Sequence, residues 1–344
     1  MMKLTPIALG LLAAVAGTGV QADELQFYGR IDYSITNSDS GSATHDGKSG
    51  TTMENNFTRV GIRGEVPIND QLAFFYRAEV GLNGDDQTKD TVSSRPTYAG
   101  LKHTTLGSIA FGRIDPVFKM TKGFADAFDN YSTKHDRLFA GDKRHGDSLE
   151  YRSSVFSGVQ FGASLILEDD YYNDNDPRKD NGNYQLAVTY GDKKFRHSNL
   201  YLAAAYSDGV EDIEATRVVA HYKLDNWTFG TIMQQSELVN PNAAGYEGRD
   251  GFGYILSTTY KLGGWKLKAQ YGEDDSGTGK IAGRVYGKHG DSIETAPTVS
   301  QWALGAEYFF SKQLRLHTEV GQFSVDDYSE FDDTVTSVGL RFDF

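Results

Sequence analysis

The sequence predicts an all-β chain that closes into a transmembrane antiparallel β-barrel of sixteen strands. Three observations predict it: side chains that alternate with a period of two, connections that alternate between short and long, and an aromatic, glycine-rich composition that is polar on average. The 344 residues hold 20 Tyr, 20 Phe and 38 Gly against 7 Pro and no Cys, with a mean hydropathy of -0.48. Beyond residue 22 there is no uncharged apolar run long enough for a spanning helix, which excludes a helical membrane protein. A barrel wall with one face in lipid and the other in water has this averaged polarity.

Taken in chain order, the first 22 residues have the form of an export signal. Lys3 supplies the positive start, 7–16 is an apolar stretch broken only by Gly10, and Val20-Gln21-Ala22 offers a cleavage step. The mature chain then begins at Asp23, and 23–344 forms a single barrel domain. Loss of Lys3 takes the formal charge from -13 to -14. Export leads to an oxidising compartment, where a chain without cysteine must hold its fold without disulfides.

Along the mature chain the alternation recurs. Tyr184, Leu186, Val188 and Tyr190 share one face, with Gln185, Ala187 and Thr189 on the other. Trp265, Leu267, Ala269 and Tyr271 alternate with Lys266, Lys268 and Gln270, and Leu314, Leu316, Thr318 and Val320 with Arg315, His317 and Glu319. This is the period of a strand between an apolar and a polar phase, and no stretch of comparable length carries a 3.6-residue repeat.

Short connections at 67–70, 104–106, 156–157, 192–197, 225–226, 263–264 and 311–312 alternate with long polar ones. The long ones run roughly over 37–55, 83–94, 114–146, 169–182, 208–213, 237–250, 273–298 and 324–333. Seven short and eight long connections join sixteen strands. Short turns on the periplasmic side and long extracellular loops are the asymmetry of outer-membrane barrels. A soluble β-sandwich also alternates, but Trp265, Tyr271, Trp302 and Tyr308 stand near strand ends on the apolar face, where a membrane interface favours amphipathic rings.

Several stretches follow one another in a telling order: Glu24-Leu25-Gln26-Phe27-Tyr28-Gly29-Arg30, Thr58-Arg59-Val60-Gly61-Ile62-Arg63-Gly64-Glu65, Tyr98-Ala99-Gly100-Leu101-Lys102, and Leu106-Gly107-Ser108-Ile109-Ala110-Phe111-Gly112-Arg113. Asp147-Ser148-Leu149-Glu150-Tyr151-Arg152 comes next, and the chain ends Gly339-Leu340-Arg341-Phe342-Asp343-Phe344. In these segments the chain resembles the trimeric, sixteen-stranded general porins of Gram-negative outer membranes, over essentially its whole mature length. The resemblance implies a water-filled channel for passive passage of ions and small hydrophilic solutes. It further implies a homotrimer seated among outer-membrane lipid and lipopolysaccharide. Insertion would fall to barrel-assembly machinery that reads Phe342 and Phe344. The family's inward-folded third loop matches residues 114–146, whose Phe118, Phe124, Phe128, Tyr131 and Phe139 suit packing better than solvent; a loop laid over the trimer rim is the alternative.

Strand parity supplies the lumen charges independently. Phe27, Ile31 and Tyr33 outward put Arg30 inward; Val60 and Ile62 outward put Arg59 and Arg63 inward beside Glu65. Leu72, Phe74, Tyr76 and Val80 outward put Arg77 and Glu79 inward, Tyr98 outward puts Arg95 inward, and Leu149 and Tyr151 outward put Arg152 inward. By resemblance, Arg30, Arg59, Arg95 and Arg152 form the basic wall of the constriction, with Arg63 and Arg77 as further lumen arginines. Asp126 and Asp129 match the opposing loop carboxylates. Residues 114–146 hold five Asp and six Lys or Arg, so the loop's own charges nearly cancel. The wall therefore sets the local sign, and the overall negative charge misleads.

The acidic excess lies in Glu168, Asp169, Asp170, Asp174, Asp176 and Asp180, and in Asp326, Asp327, Glu330, Asp332 and Asp333. These keep the outer loops solvated or hold divalent cations; the sequence assigns no metal and no cofactor. Nucleic-acid binding lacks a basic patch. The 8 His are scattered, with no His-Glu-x-x-His and no Gly-x-Ser-x-Gly, so no catalytic residue is assigned and an enzyme is not expected. A substrate-specific channel is the closer alternative. It would want a continuous aromatic lumen track, whereas Phe75 and Phe309 are among the few strand aromatics of inward parity.

Overall fold

The computed structural model describes residues 25–88, 90–167 and 183–344. The export signal and the acidic stretch 168–180 lie outside the described residues.

Sixteen antiparallel strands form one closed sheet. Strand β1 (Gln26–Ser38) is followed by β2, made of two pieces, Gly50–Asn55 and Arg59–Pro67, then β3 (Leu72–Leu82), β4 (Val92–His103) and β5 (Gly107–Ile114). After the long third loop come β6 (His145–Arg152), β7 (Val159–Ile166), β8 (Asn183–Gly191), β9 (Leu200–Asp208), β10 (Ile213–Leu224) and β11 (Trp227–Leu238). The last five are β12 (Asp250–Leu262), β13 (Trp265–Asp274), β14 (Val299–Phe309), β15 (Leu314–Val325) and β16 (Asp333–Asp343). Neighbours in sequence pair with one another, and β16 pairs with β1 from Arg30↔Asp343 to Ser38↔Val335, which closes the ring. Closure leaves no open edge, so every wall strand satisfies its backbone in a medium without water.

The expected alternation holds along the wall. On β1, Phe27, Ile31 and Ile35 are exposed to the lipid side, whereas Asp32, Ser34 and Thr36 are buried towards the lumen. Aromatic pairs cross adjacent strands at the ends, Trp227 with Tyr260 at 4.5 Å and Trp265 with Tyr308 at 4.8 Å between ring centroids. Tyr271 faces Trp302 at the opposite end. These are the girdles of a membrane interface.

Three sequence expectations are corrected. The first loop is shorter than 37–55, because Gly50–Asn55 already pairs with β1; β2 is one wall strand broken at 56–58. The loop over 273–298 contains a helix, α2 (Lys280–His289), which is preceded in the chain by the short α1 (Val117–Thr121) of the third loop. Ile281, Ala282, Val285 and Tyr286 of α2 are buried, a helical face too short to stand out among strands of similar length. Tyr98 faces inward, not outward. A β-bulge shifts the β3–β4 register, so that Ala78 pairs with Thr97 but Val80 with Ser94. The extra residue flips the parity between Arg95 and Tyr98, and Tyr98 lies beside inward Phe75, 6.2 Å away.

The apolar core sits inside the barrel. Leu138 and Phe139 of the third loop and Ile281, Ala282, Val285 and Tyr286 of α2 pack on Val299, Phe323 and Val335 of the wall.

Candidate functional site

The third loop needs a dry surface for its aromatics and finds one on the inner wall for all but Phe124, which against expectation is 52% exposed because it stands on the side of the loop turned away from the wall core. Phe118, Phe128, Leu138 and Phe139 are fully buried. Its backbone is held by wall side chains. The Lys268 ammonium and the Ser257 hydroxyl donate to the carbonyls of Ala127 and Ala125, at 3.1 and 2.5 Å. Arg217 and Gln234 both donate to the Ala140 carbonyl. Glu319 accepts from the amides of Ser132 and Thr133 and from the Thr133 hydroxyl, the last at 2.5 Å. Wall polar groups thus replace the water that an irregular backbone needs.

Close approach requires a missing side chain on β15. A methyl group at Gly321 would stand 2.5 Å from Thr133 Cγ2 and 3.0 Å from the Trp302 carbonyl. Gly321→Val is therefore expected to push the loop away from β15 towards the arginine wall, at a cost of about 1–3 kcal/mol in overpacking. Single-channel conductance should fall while the barrel still assembles. An unchanged conductance would mean that the loop does not define the narrow section.

Opposite the docked loop, arginines outnumber carboxylates. Arg77 and Arg95 bind the fully buried Glu79 carboxylate at 2.6 and 2.5 Å, and Arg59 lies 3.6 Å from it. The Tyr28 hydroxyl also donates to Glu79, at 2.9 Å. A second carboxylate, Asp343, is shared by Arg30 at 2.9 Å, Arg341 at 2.8 Å and Arg315 at 3.0 Å. Asp32 pairs with His317 at 2.9 Å and lies 3.9 Å from Arg341. Three guanidiniums on the single Glu79 carboxylate leave that part of the wall with excess positive charge, whereas around Asp343 the carboxylates of Asp32 and of Glu307, 3.3 Å from Arg315, match the other three. The break in β2 shapes the rim: Phe57 at φ 67° points its carbonyl at Arg59, 3.1 Å away, and its ring lies within 6 Å of Arg95 and Lys134.

The loop meets this wall through Asn130, whose side-chain oxygen accepts from Arg30 at 2.9 Å. Its charges are paired among themselves: Lys122 with Asp129 and Asp142, both at 2.5 Å, and Lys134 with Asp136 at 2.6 Å. Burial opposes the charge of Asp129, but Lys122 outweighs it and holds the carboxyl below its ordinary range. Burial likewise opposes a charged His135, yet Asp142 and the hydrogen bond to Asp126 raise it above its ordinary value.

The structure brings Arg30, Arg59, Arg77 and Arg95 together. Arg63 stands further along the same arc, donating to Gln26 at 2.9 Å and lying over the Tyr28 ring. Arg152 is separate, paired with Glu150 at 2.7 Å and reaching the Asp115 carbonyl. Asp129 lies on the loop with its side chain 44% exposed. Asp126 is not brought against the basic wall; it turns into the loop, where it accepts from His135 Nδ1 at 2.7 Å and from the Phe128 amide. Arg315 and Arg341 were missed as site residues. Parity could have found both, since Leu316 and Leu340 face outward. Tyr28 was also missed, although it too has inward parity.

The barrel terminus completes the seam. Phe344 donates its amide to the Gly29 carbonyl at 3.1 Å and accepts from the Gly29 amide at 2.9 Å. Its ring covers Gly29 and lies 5.9 Å from both Phe27 and Phe342.

Comparisons with known proteins agree with this geometry. A family model described as Gram-negative porin matches residues 8–328. Outer membrane porin PhoE of Escherichia coli (strain K12) is 26% identical, covering 100% of both chains. Outer membrane protein U of Vibrio cholerae serotype O1 is 25% identical over 69% of this chain and 75% of its own. Among solved structures, an anion-selective porin from Comamonas acidovorans superposes with a TM-score of 0.69 at 17% identity, over 93% of this chain and 99% of that one. OmpF of Salmonella typhi in complex with daunomycin does so with a TM-score of 0.67 at 19% identity, over 93% and 97%. These two likenesses are of fold.

Proposed function

The chain belongs to the Gram-negative porin family, and on that premise we propose that its narrow section favours small anions. The protein is an outer-membrane porin, a water-filled channel for general diffusion of ions and small hydrophilic solutes. A barrel this wide is not filled by its own wall side chains, so passage is limited by the narrowest section and the charges that line it.

The observation that carries the anion preference is the arginine excess. Arg59, Arg77 and Arg95 against Glu79 leave a local charge of +2, whereas Arg30, Arg315 and Arg341 are matched by Asp343, Asp32 and Glu307. Arg152 and Arg63 extend the basic surface along the lumen. Asp129 is the loop carboxylate nearest in role to an opposing charge, offset by Lys122. Arginine suits the task because its charge persists at any physiological pH and its fork is braced by neighbours. The acidic outer loops act weakly on the slot, since salt screens them beyond about 8–10 Å.

The same reading gives a homotrimer assembled from a leader-cleaved chain, with residues 1–22 removed. Outer-membrane lipid, lipopolysaccharide and barrel-assembly machinery are its surroundings and partners. A chemical step on the solute has no place in it. A specific sugar track is not favoured: the lumen ring of Tyr28 carries Arg63 and Arg77 over it, at 5.1 and 5.5 Å, and has little face left for a solute. Reversal potential in a potassium chloride gradient tests the proposal. Chloride should permeate more readily than potassium, and strong cation selectivity would contradict the charge balance.

A further inference from the structure

One connection at the short-turn end does not stay at the rim. The turn over 192–197 bends into the barrel and meets the constriction loop. Asp192 folds it, accepting from the amides of Lys194 and Arg196 at 2.9 and 3.1 Å and from Arg196 Nε at 2.9 Å. Phe195 adopts φ 56° and sets its ring 4.6 Å from that of the lumen-facing His221. Positive φ is unfavourable for a bulky side chain, and such strain persists only where surrounding contacts over-determine it. Here those contacts are the buried cluster within the barrel, onto which Phe195 packs.

Tucking the turn inward leaves a half-open cavity of about 470 Å³ between it, the wall strands and α1. Val117, Met120 and Tyr201 supply apolar lining; Arg152, Lys193 and Arg196 supply positive charge, and the lining carboxylate, Asp192, is engaged by Arg196 at 2.9 Å. Tyr201 is fixed by donating its hydroxyl to the Thr121 carbonyl at 3.0 Å. Lys193 stands against the constriction loop, its Cβ 3.4 Å from where a side chain at Gly123 would begin. Arg152 has Glu150 as a counter-charge, but Lys193 has no carboxylate within ion-pair distance among the described residues. Burial lowers the lysine first, Arg152 and Lys194 lower it further, and Asp115 and Asp192 only partly compensate. A cavity of this size, mostly apolar with a few convergent polar groups, is the usual form of a small-molecule site.

We infer that this cavity is a binding site for small organic anions with an apolar body, held at the carboxylate by Lys193 and Arg152 and along the body by Val117, Met120 and Tyr201. It lies on the periplasmic side of the narrow section, so a solute that has crossed the slot pauses there before release. The site stands on its own cavity and turn, and does not depend on the ion preference of the constriction.

The test is current block in planar bilayers holding oriented trimers in potassium chloride, with benzoate as the probe and acetate as the same carboxylate without a ring. Benzoate added on the periplasmic side should block at lower concentration than acetate. Lys193→Met should raise the benzoate concentration for half block about tenfold, the size of one charge-assisted hydrogen bond, while leaving the chloride–potassium reversal potential as in wild type. Equal potency of benzoate and acetate would overturn the apolar part of the site. Equal block of wild type and Lys193→Met would overturn the site itself. Reversal potential reads the constriction separately, so failure there leaves this outcome intact. Phe195→Gly, which relaxes the strained turn, should weaken benzoate block without removing a charge; block that survives it undiminished would also count against the inward turn as the site's frame.

Discussion

Replacing Arg59 and Arg95 together with glutamine is expected to move the permeability ratio towards cations about fourfold. The local arithmetic is direct: around Glu79 the sum falls from +2 to zero, with Arg77 and Tyr28 still holding the carboxylate. A unit charge about 8 Å from a passing ion is worth about 0.5 kcal/mol in water. Screening over one Debye length reduces that to about 0.2 kcal/mol. Two charges, felt with opposite sign by anion and cation, change the ratio by about 0.8 kcal/mol, and 1.4 kcal/mol would be tenfold. A drier slot would enlarge the effect. Glutamine keeps hydrogen-bonding capacity, and lumen substitutions alter selectivity more than barrel stability. Reversal potentials of wild type and double variant in one salt gradient decide the matter. Identical values would remove these two arginines from the narrow section.

Much of this wall was legible because a strand hides nothing of its parity. Once Phe27, Ile31 and Val60 are assigned to lipid, Arg30 and Arg59 have only the lumen left. Arg95 illustrates where the rule stops. Its inward face was reached from an outward Tyr98, and the bulge at Arg95–Pro96 makes that premise wrong while the arginine still points inward. A bulge adds one residue without changing the apolar pattern on either side, so sequence period alone cannot locate it.

The third loop divides in the same way. Its aromatic content announced burial, and Phe118, Phe128 and Phe139 are indeed enclosed. Its carboxylates could not be placed without coordinates, because irregular backbone has no parity. Asp126 went to His135 instead of the slot, and Asp129 to Lys122. The inward turn over 192–197 was invisible for a related reason. Its length and polarity fit an ordinary hairpin connection, and only the position of Phe195 against His221 shows where it goes.

Deleting Phe344 is expected to have the largest effect on the amount of folded protein, because the last residue closes the seam. The register from Arg30↔Asp343 to Ser38↔Val335 ends at the paired hydrogen bonds between Phe344 and Gly29. Losing them exposes two backbone groups of Gly29 at the edge of the hydrocarbon, at about 0.5–1.5 kcal/mol for each bond. Losing the ring, which is 41% exposed and lies against Phe27 and Phe342, removes about 1–2 kcal/mol of partial apolar burial. Together these amount to about 3 kcal/mol at the one joint of the barrel that no covalent turn supports, roughly a hundredfold in the balance between closed and open seam. Heat-resistant trimer recovered from outer membranes should fall sharply, with the chain found in the periplasm or degraded. Gly29→Ala separates the two contributions. Its methyl collides with the Phe344 ring while the backbone rung stays available, so an intermediate yield is expected. Wild-type yield from the deletion would reduce the terminus to ordinary wall. Wild-type yield from Gly29→Ala alone would assign the effect to the rung and not to the ring.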